Sequence, residues 1–130
     1  MTFSIVGRCQ RSGMLGVGIS TSSICVGARC PHARAGIGAV ATQNITDPAL
    51  GPAVLDKIER GLDAQSALHQ VTRDRPYLDY RQVTVIDHQG NTACYSGSQI
   101  LGIHAESAAH DCFAAGNLLA NESVIAQIVQ

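Results

Sequence analysis

Between Ala35 and Pro48 the chain reads AGIGAVATQNITDP, a strand-like run in which Gly36, Gly38, Ala39 and Ala41 leave almost no side-chain bulk. Small residues in an extended segment forgo packing area, so such a strand is stable only where something approaches its backbone closely. That neighbour is either another packed layer or a ligand. Any fold for this chain has to supply one or the other.

Upstream, TFSIVGRC and MLGVGIST are strand-like and are separated by the turn signal Gln10–Gly13, which predicts a β-hairpin over about Thr2–Cys9 and Met14–Thr21. A small and polar stretch, TSSICVGARCPHAR, follows. Downstream, Asp47 is a helix N-cap with Pro48 at the first helical position. Leu50, Val54, Leu55, Ile58 and Leu62 then recur at three- and four-residue spacing, predicting a helix from about Pro48 to Arg60 that Gly61 ends. Ala64, Ala67, Leu68 and Val71 predict a shorter helix running to about Asp74. RQVTVID and NTACYSG flank Asp87–Gly90 as a second hairpin. A short strand near Ile100–His104, another at about Asp111–Ala115, the pair Gly116-Asn117 and a helix from near Asn121 complete the order. Two hairpins with helices grouped between and after them define an α+β fold, an antiparallel sheet or two covered by helices.

The chain has 130 residues, 45% hydrophobic and 15% charged, the balance of one soluble globular domain. Nine Lys+Arg against ten Asp+Glu leave a net charge of −1 with no basic stripe, which argues against a nucleic-acid partner. No apolar run approaches the ~18 residues of a spanning helix and no signal core follows the N-terminus, so the expectation is a cytoplasmic protein without a membrane partner. The cysteines Cys9, Cys25, Cys30, Cys94 and Cys112 contain no C-x-x-C pair, and the histidines show no H-x-x-x-H spacing. Neither a disulfide framework nor a catalytic metal is expected, and no cofactor fingerprint is present. Val124, Ile125, Ile128 and Val129 form a helical apolar face that no stop signal closes before Gln130. The expectation is that this face is covered by further chain or by another subunit, as in a homo-oligomer or a protein with a C-terminal segment beyond this one.

The first residues, MTFSIVGR, raise the chemical question. Thr2 is a β-former at a strand start, yet loss of Met1 would give it both a nucleophilic hydroxyl and a free amine. Thr42-Gln43-Asn44 ends the small-residue strand just before the Asp47 cap, so Gln43 and Asn44 are candidates to line a cleft; Asn44 is equally a turn-former. Asn117 occupies a second place where a strand gives way to a helix. Ser22 and Ser23 lie past the second strand and are candidate substrate contacts or an alternative nucleophile, with an ordinary serine-rich loop as the other reading. Arg34 is a candidate partner for a substrate carboxylate, with a solvated surface arginine as the alternative, and Arg8 carries the same ambiguity.

The stretches MTFSIVGR, LGVGISTSSICVGARCPHARAGIGAVATQNITDPALG, YRQVTVIDHQGNTACYSG and FAAGNLLAN together resemble the bacterial DUF1028 family, whose members are assigned to the N-terminal-nucleophile hydrolase-like fold. The resemblance covers essentially the whole chain, with Gly36–Gly51 as its most diagnostic part, and members of the family usually continue well past the equivalent of Gln130. It implies an αββα sandwich, two antiparallel sheets face to face with helices outside, of which residues 1–130 form an N-terminal portion. It also implies an amidohydrolase in which Thr2 attacks a small-molecule amide and its own amine takes the proton; by their positions Asn44 or the backbone N–H groups near Gln43 are the candidate oxyanion or substrate donors, with Asn117 second to them. A non-enzymatic metabolite-binding or accessory domain and a structural oligomerisation module on the same fold are the alternatives. Sedimentation velocity tests the unclosed apolar face: it is expected to return an assembly larger than a 13.6 kDa monomer.

Overall fold

The predicted N-terminal hairpin forms β1 (Thr2–Arg8) and β2 (Leu15–Thr21) in the computed structural model, which describes residues 1–130. The remaining strands are β3 (Pro31–Arg34), β4 (Gly38–Asn44), β5 (Arg81–Asp87), β6 (Thr92–Ser96), β7 (Ala105–Ala109) and β8 (Cys112–Asn117). The helices are α1 (Leu50–Glu59), α2 (Ala64–Thr72) and α3 (Ser123–Ile128). Strands assemble into two four-stranded antiparallel sheets, β2-β1-β8-β7 and β3-β4-β5-β6. The α+β class holds.

Alternation along each strand sends successive side chains to opposite faces. Val6 of β1 packs with Ala39, Ala41 and Ile86 from the other sheet, joined by Leu15, Val17 and Phe113, so the two sheets meet face to face here. On the outer face of the second sheet, Val40, Val83 and Val85 pack against Leu50, Val54, Leu55 and Ile58 of α1 and Ala64, Ala67 and Leu68 of α2. Each of the valine, leucine and isoleucine side chains contributes about 1.5–3 kcal/mol when fully buried. On the outer face of the first sheet, Ala114, Leu119 and Ile125 of α3 gather with Phe3 and Ile5. Ile125 is fully buried against its own sheet, while Val124, Ile128 and Val129 are half-buried beside it.

The bare strand is β4, and packed protein approaches it from both sides. A Cβ on Gly38 would stand 2.7 Å from the Ile86 carbonyl oxygen and 3.3 Å from the Ile58 side chain. Ala39 and Ala41 are fully buried against the facing sheet.

Several predicted boundaries shift. The α1 helix begins at Leu50, not Pro48: Asp47 Oδ1 accepts from Ala49 N at 3.1 Å and its carbonyl from Leu50 N at 3.2 Å, a turn that precedes the helix. Ile100–His104 is not a strand. Gly102 has φ 66°, which breaks extended pairing, and the carbonyls of Leu101 and Ile103 accept from Leu118 and Leu119 beyond the end of β8. The edge strand lies one segment later, at Ala105–Ala109. β3 falls within the stretch read only as small and polar, and β8 runs on through Asn117, which therefore sits on the strand and not after it.

Asp87 joins these parts. It is 2% exposed and accepts four hydrogen bonds, from Ala64 N at the start of α2, from Gln89 N, and from Asn91 N and Nδ2, all at 2.9–3.1 Å. Asp87→Ala leaves the Ala64 amide and the turn donors unpaired and is expected to cost about 2–4 kcal/mol in urea unfolding; Asp87→Asn should recover part of that.

Candidate active site

The interior between the sheets changes character along its length. At the Val6 end it is apolar; at the other end β1 and β2 present Thr2 opposite Thr21, and β8 presents Asn117 on the other side of Thr2. Directly opposed residues in antiparallel strands share a face, so Thr21, Thr2 and Asn117 form one polar row. In the facing sheet Gln43 pairs with Gln82, and Gln82 with Ser96, a second row.

Hydrogen bonds tie the rows together. Gln43 Nε2 donates to Gln82 Oε1 at 2.8 Å and to the Ala115 carbonyl at 3.1 Å. Asn117 Nδ2 donates to the same Gln82 Oε1 at 3.3 Å, and Gln82 Nε2 donates to the Gly116 carbonyl and to Ser96 Oγ, both at 3.3 Å. Gln43, Gln82 and Asn117 are all buried. Buried Gln43 Oε1 has no partner.

Thr2 Oγ1 lies 2.8 Å from Thr21 Oγ1, which also accepts from Ser23 N at 3.1 Å. Thr2 and Thr21 open into a pocket of about 30 Å³ bordered by Ser23, Arg29, Gln43 and Asn44, room for a water molecule or two. Met1 is tied to the loop after β2: the Met1 carbonyl accepts from Ser22 N, and its ammonium donates to Ser22 Oγ, each at 3.2 Å. A wider groove of about 230 Å³ runs past Phe3, Ile5, Ile19 and Ile128. Serine hydroxyls are its only polar side chains, so the chemistry favours the smaller pocket.

The sequence candidates distribute unevenly. Thr2, Ser23, Gln43 and Asn44 come together at the pocket, Asn117 stands beside Thr2 in the sheet, and Ser22 holds Met1. Asn44, at φ 74°, occupies the left-handed region that asparagine tolerates. Its Nδ2 donates to the Tyr80 carbonyl at 2.6 Å and its Oδ1 accepts from Leu101 N at 3.3 Å, so the side chain pins two loops at the rim.

Arg34 lies at the far end of β3, where it bonds Glu59 at 2.6 Å and Asp56 at 2.9 Å. Those carboxylates are more than half exposed, so solvent screens both contacts and Arg34 is held as a surface ion pair away from the pocket. Arg8 bonds Asp111 at 3.2 Å, outside the pocket. No group of three His, Cys, Asp or Glu side chains is placed to hold a metal ion.

Sequence reasoning missed Thr21, Gln82 and Arg29. The Arg29 guanidinium enters the pocket rim from the loop after β2, donating to Ser23 Oγ at 2.6 Å and to Thr46 Oγ1 and the Ile24 carbonyl at 3.1 Å. Cys94 lies farther along, next to Ser96; burial first, and then the Glu106 carboxylate, push its thiol well above the usual range.

These features define a class: an α+β protein of two antiparallel sheets whose first strand carries a threonine into a polar pocket between them. The chain belongs to the DUF1028 family, a family of unknown function, whose model matches residues 2–130. It is similar to the crystal structure of protein SPO2555 from Silicibacter pomeroyi, at 29% identity and a TM-score of 0.92 over 96% of this chain. The chain spans 56% of the length of that protein. The search of curated proteins returned no match.

Gln82 is the hub of the amide network, and its effect is measurable without a substrate. Gln82→Met keeps the volume but leaves one donor each on Gln43 and Asn117 without its acceptor, and urea unfolding is expected to show a loss of about 2–4 kcal/mol.

Proposed function

We propose that the protein is an N-terminal-nucleophile-type amidohydrolase acting on a small-molecule amide, with Thr2 as nucleophile after removal of Met1, and that its sheets and flanking helices are the αββα sandwich of that class. The observation that carries this is the placement of the Thr2 hydroxyl in a pocket between the sheets, flanked by Thr21, Gln43 and Asn44. A threonine serving only as a strand former needs no such pocket.

In this mechanism Thr2 Oγ attacks the amide carbonyl carbon while the Thr2 amine accepts the hydroxyl proton. An α-amine has a pKa near ~8, so a useful fraction is neutral at pH 7. The carbonyl electrons move to oxygen. Asn117 Nδ2, which keeps one N–H beyond its bond to Gln82, is the assigned oxyanion donor, and Asn44 holds the rim in place. Collapse of the tetrahedral intermediate breaks the C–N bond, and the Thr2 ammonium returns its proton to the leaving amine. Water then hydrolyses the ester on Thr2 with the same amine as base. These steps use no cofactor.

Intact mass is expected to lack Met1 in active protein. Thr2→Ala should abolish turnover of a small amide panel, by about 10³-fold or more, while leaving the unfolding midpoint nearly unchanged; Thr2→Ser should retain measurable activity. Full turnover in the alanine variant, or Met1 still attached in active protein, removes Thr2 from the chemistry.

A further inference from the structure

We infer that the Thr2 pocket is built for an amide that also carries a carboxylate, with Arg29 as the residue that reads the negative charge; the catalytic half of this rests on the hydrolase reading above. Arg29 is the cation of the pocket, and no carboxylate lines it. Arg8, Arg34, Arg73 and Arg75 sit in ion pairs; Arg29, like Arg11, Arg60 and Arg81, does not, and its acceptors are all neutral: two hydroxyls, a carbonyl and the Cys30 sulfur at 3.9 Å. Asp47, next in sequence to Thr46, is bonded to Arg75 at 2.9 Å. A half-buried guanidinium held in place without a counter-ion is preorganised for an incoming anion. Its Nε–H is uncommitted, and a carboxylate that takes the place of the exposed Ser23 hydroxyl completes a two-pronged contact.

A second, independent feature marks the other half of the ligand. Gln43 Oε1 is buried at the same pocket with no donor, and a substrate amide supplies the N–H that it lacks. Loss of Met1 frees the Thr2 amine and removes the two hydrogen bonds between Met1 and Ser22. Ser23 and Ile24 stay bonded to Thr21 and Arg29, so the carboxylate gains its place by displacing the Ser23 hydroxyl from Arg29.

The test separates binding from turnover. Calorimetry on the Met1-free Thr2→Ala protein compares N-acetylglycine and N-acetylalanine with their primary carboxamides. The acids are expected to bind about 10- to 100-fold more tightly than the carboxamides. Arg29→Gln in the same background should erase that ratio, and Arg29→Lys should retain part of it. Equal affinity for acid and carboxamide, no binding of either, or a ratio unchanged by Arg29→Gln overturns the assignment. Charge-selective binding without turnover in the wild-type protein defeats the hydrolase reading and leaves Arg29 standing. Turnover with equal kcat/KM for acids and carboxamides does the reverse.

Discussion

The carboxamide of Gln82 is the point on which the site end of the molecule depends. Its oxygen takes donors from Gln43 in its own sheet and from Asn117 in the facing one, and its nitrogen reaches Gly116 and Ser96. Dispersion and apolar burial hold the sheets together at the Val6 end, but these forces do not specify a relative position to a fraction of an ångström. Directional hydrogen bonds between buried amides do, because each unmet group costs about 1–3 kcal/mol. Gln82 therefore sets where Asn117 lies, and Asn117 is the neighbour of Thr2 in the sheet.

The hydrogen bonding is not complete. Ser4 Oγ and Thr84 Oγ1, both on strands that line the inter-sheet space, join Gln43 Oε1 as buried polar atoms without partners. Two of the three belong to residues on strands that also carry the amide network, β4 and β5. The polar end of the inter-sheet space is thus less fully satisfied than the Asp87 turn, where all four contacts close. Cys94 lies near that network, and burial followed by the Glu106 carboxylate pushes its thiol above the usual range.

Much of this was legible because hairpins transmit local information over distance. Placing the first turn on Gln10–Gly13 makes Thr2 and Thr21 partners, as the observed register has them, so Thr21 was within reach of the sequence. The second hairpin is less forgiving. Its Asp87 amide bonds the Asn91 carbonyl around His88, Gln89 and Gly90, and Gln82 consequently faces Ser96. A turn one residue shorter would have put Tyr95 there, and a shift of one exchanges the two faces of a strand. β3 escaped notice since Pro31, His32, Ala33 and Arg34 have no alternating pattern; pairing with β4 alone makes them a strand. Arg29 lay hidden for a related reason: a residue in an irregular loop has no period from which to infer its direction.

The position of β1 has a consequence for how the protein can be handled. Chain termini usually fray, but β1 is an interior strand, paired through Thr2 with β2 on one side and β8 on the other. A Cβ at Gly116 would stand 2.9 Å from the Thr2 carbonyl, so even the backbone there has little lateral freedom. A tag or fusion partner joined at this end leaves the sheet beside Ser22, next to the pocket that Thr2 lines, and crowds the loop there. A preparation extended ahead of Thr2 therefore carries extra chain at the edge of that pocket.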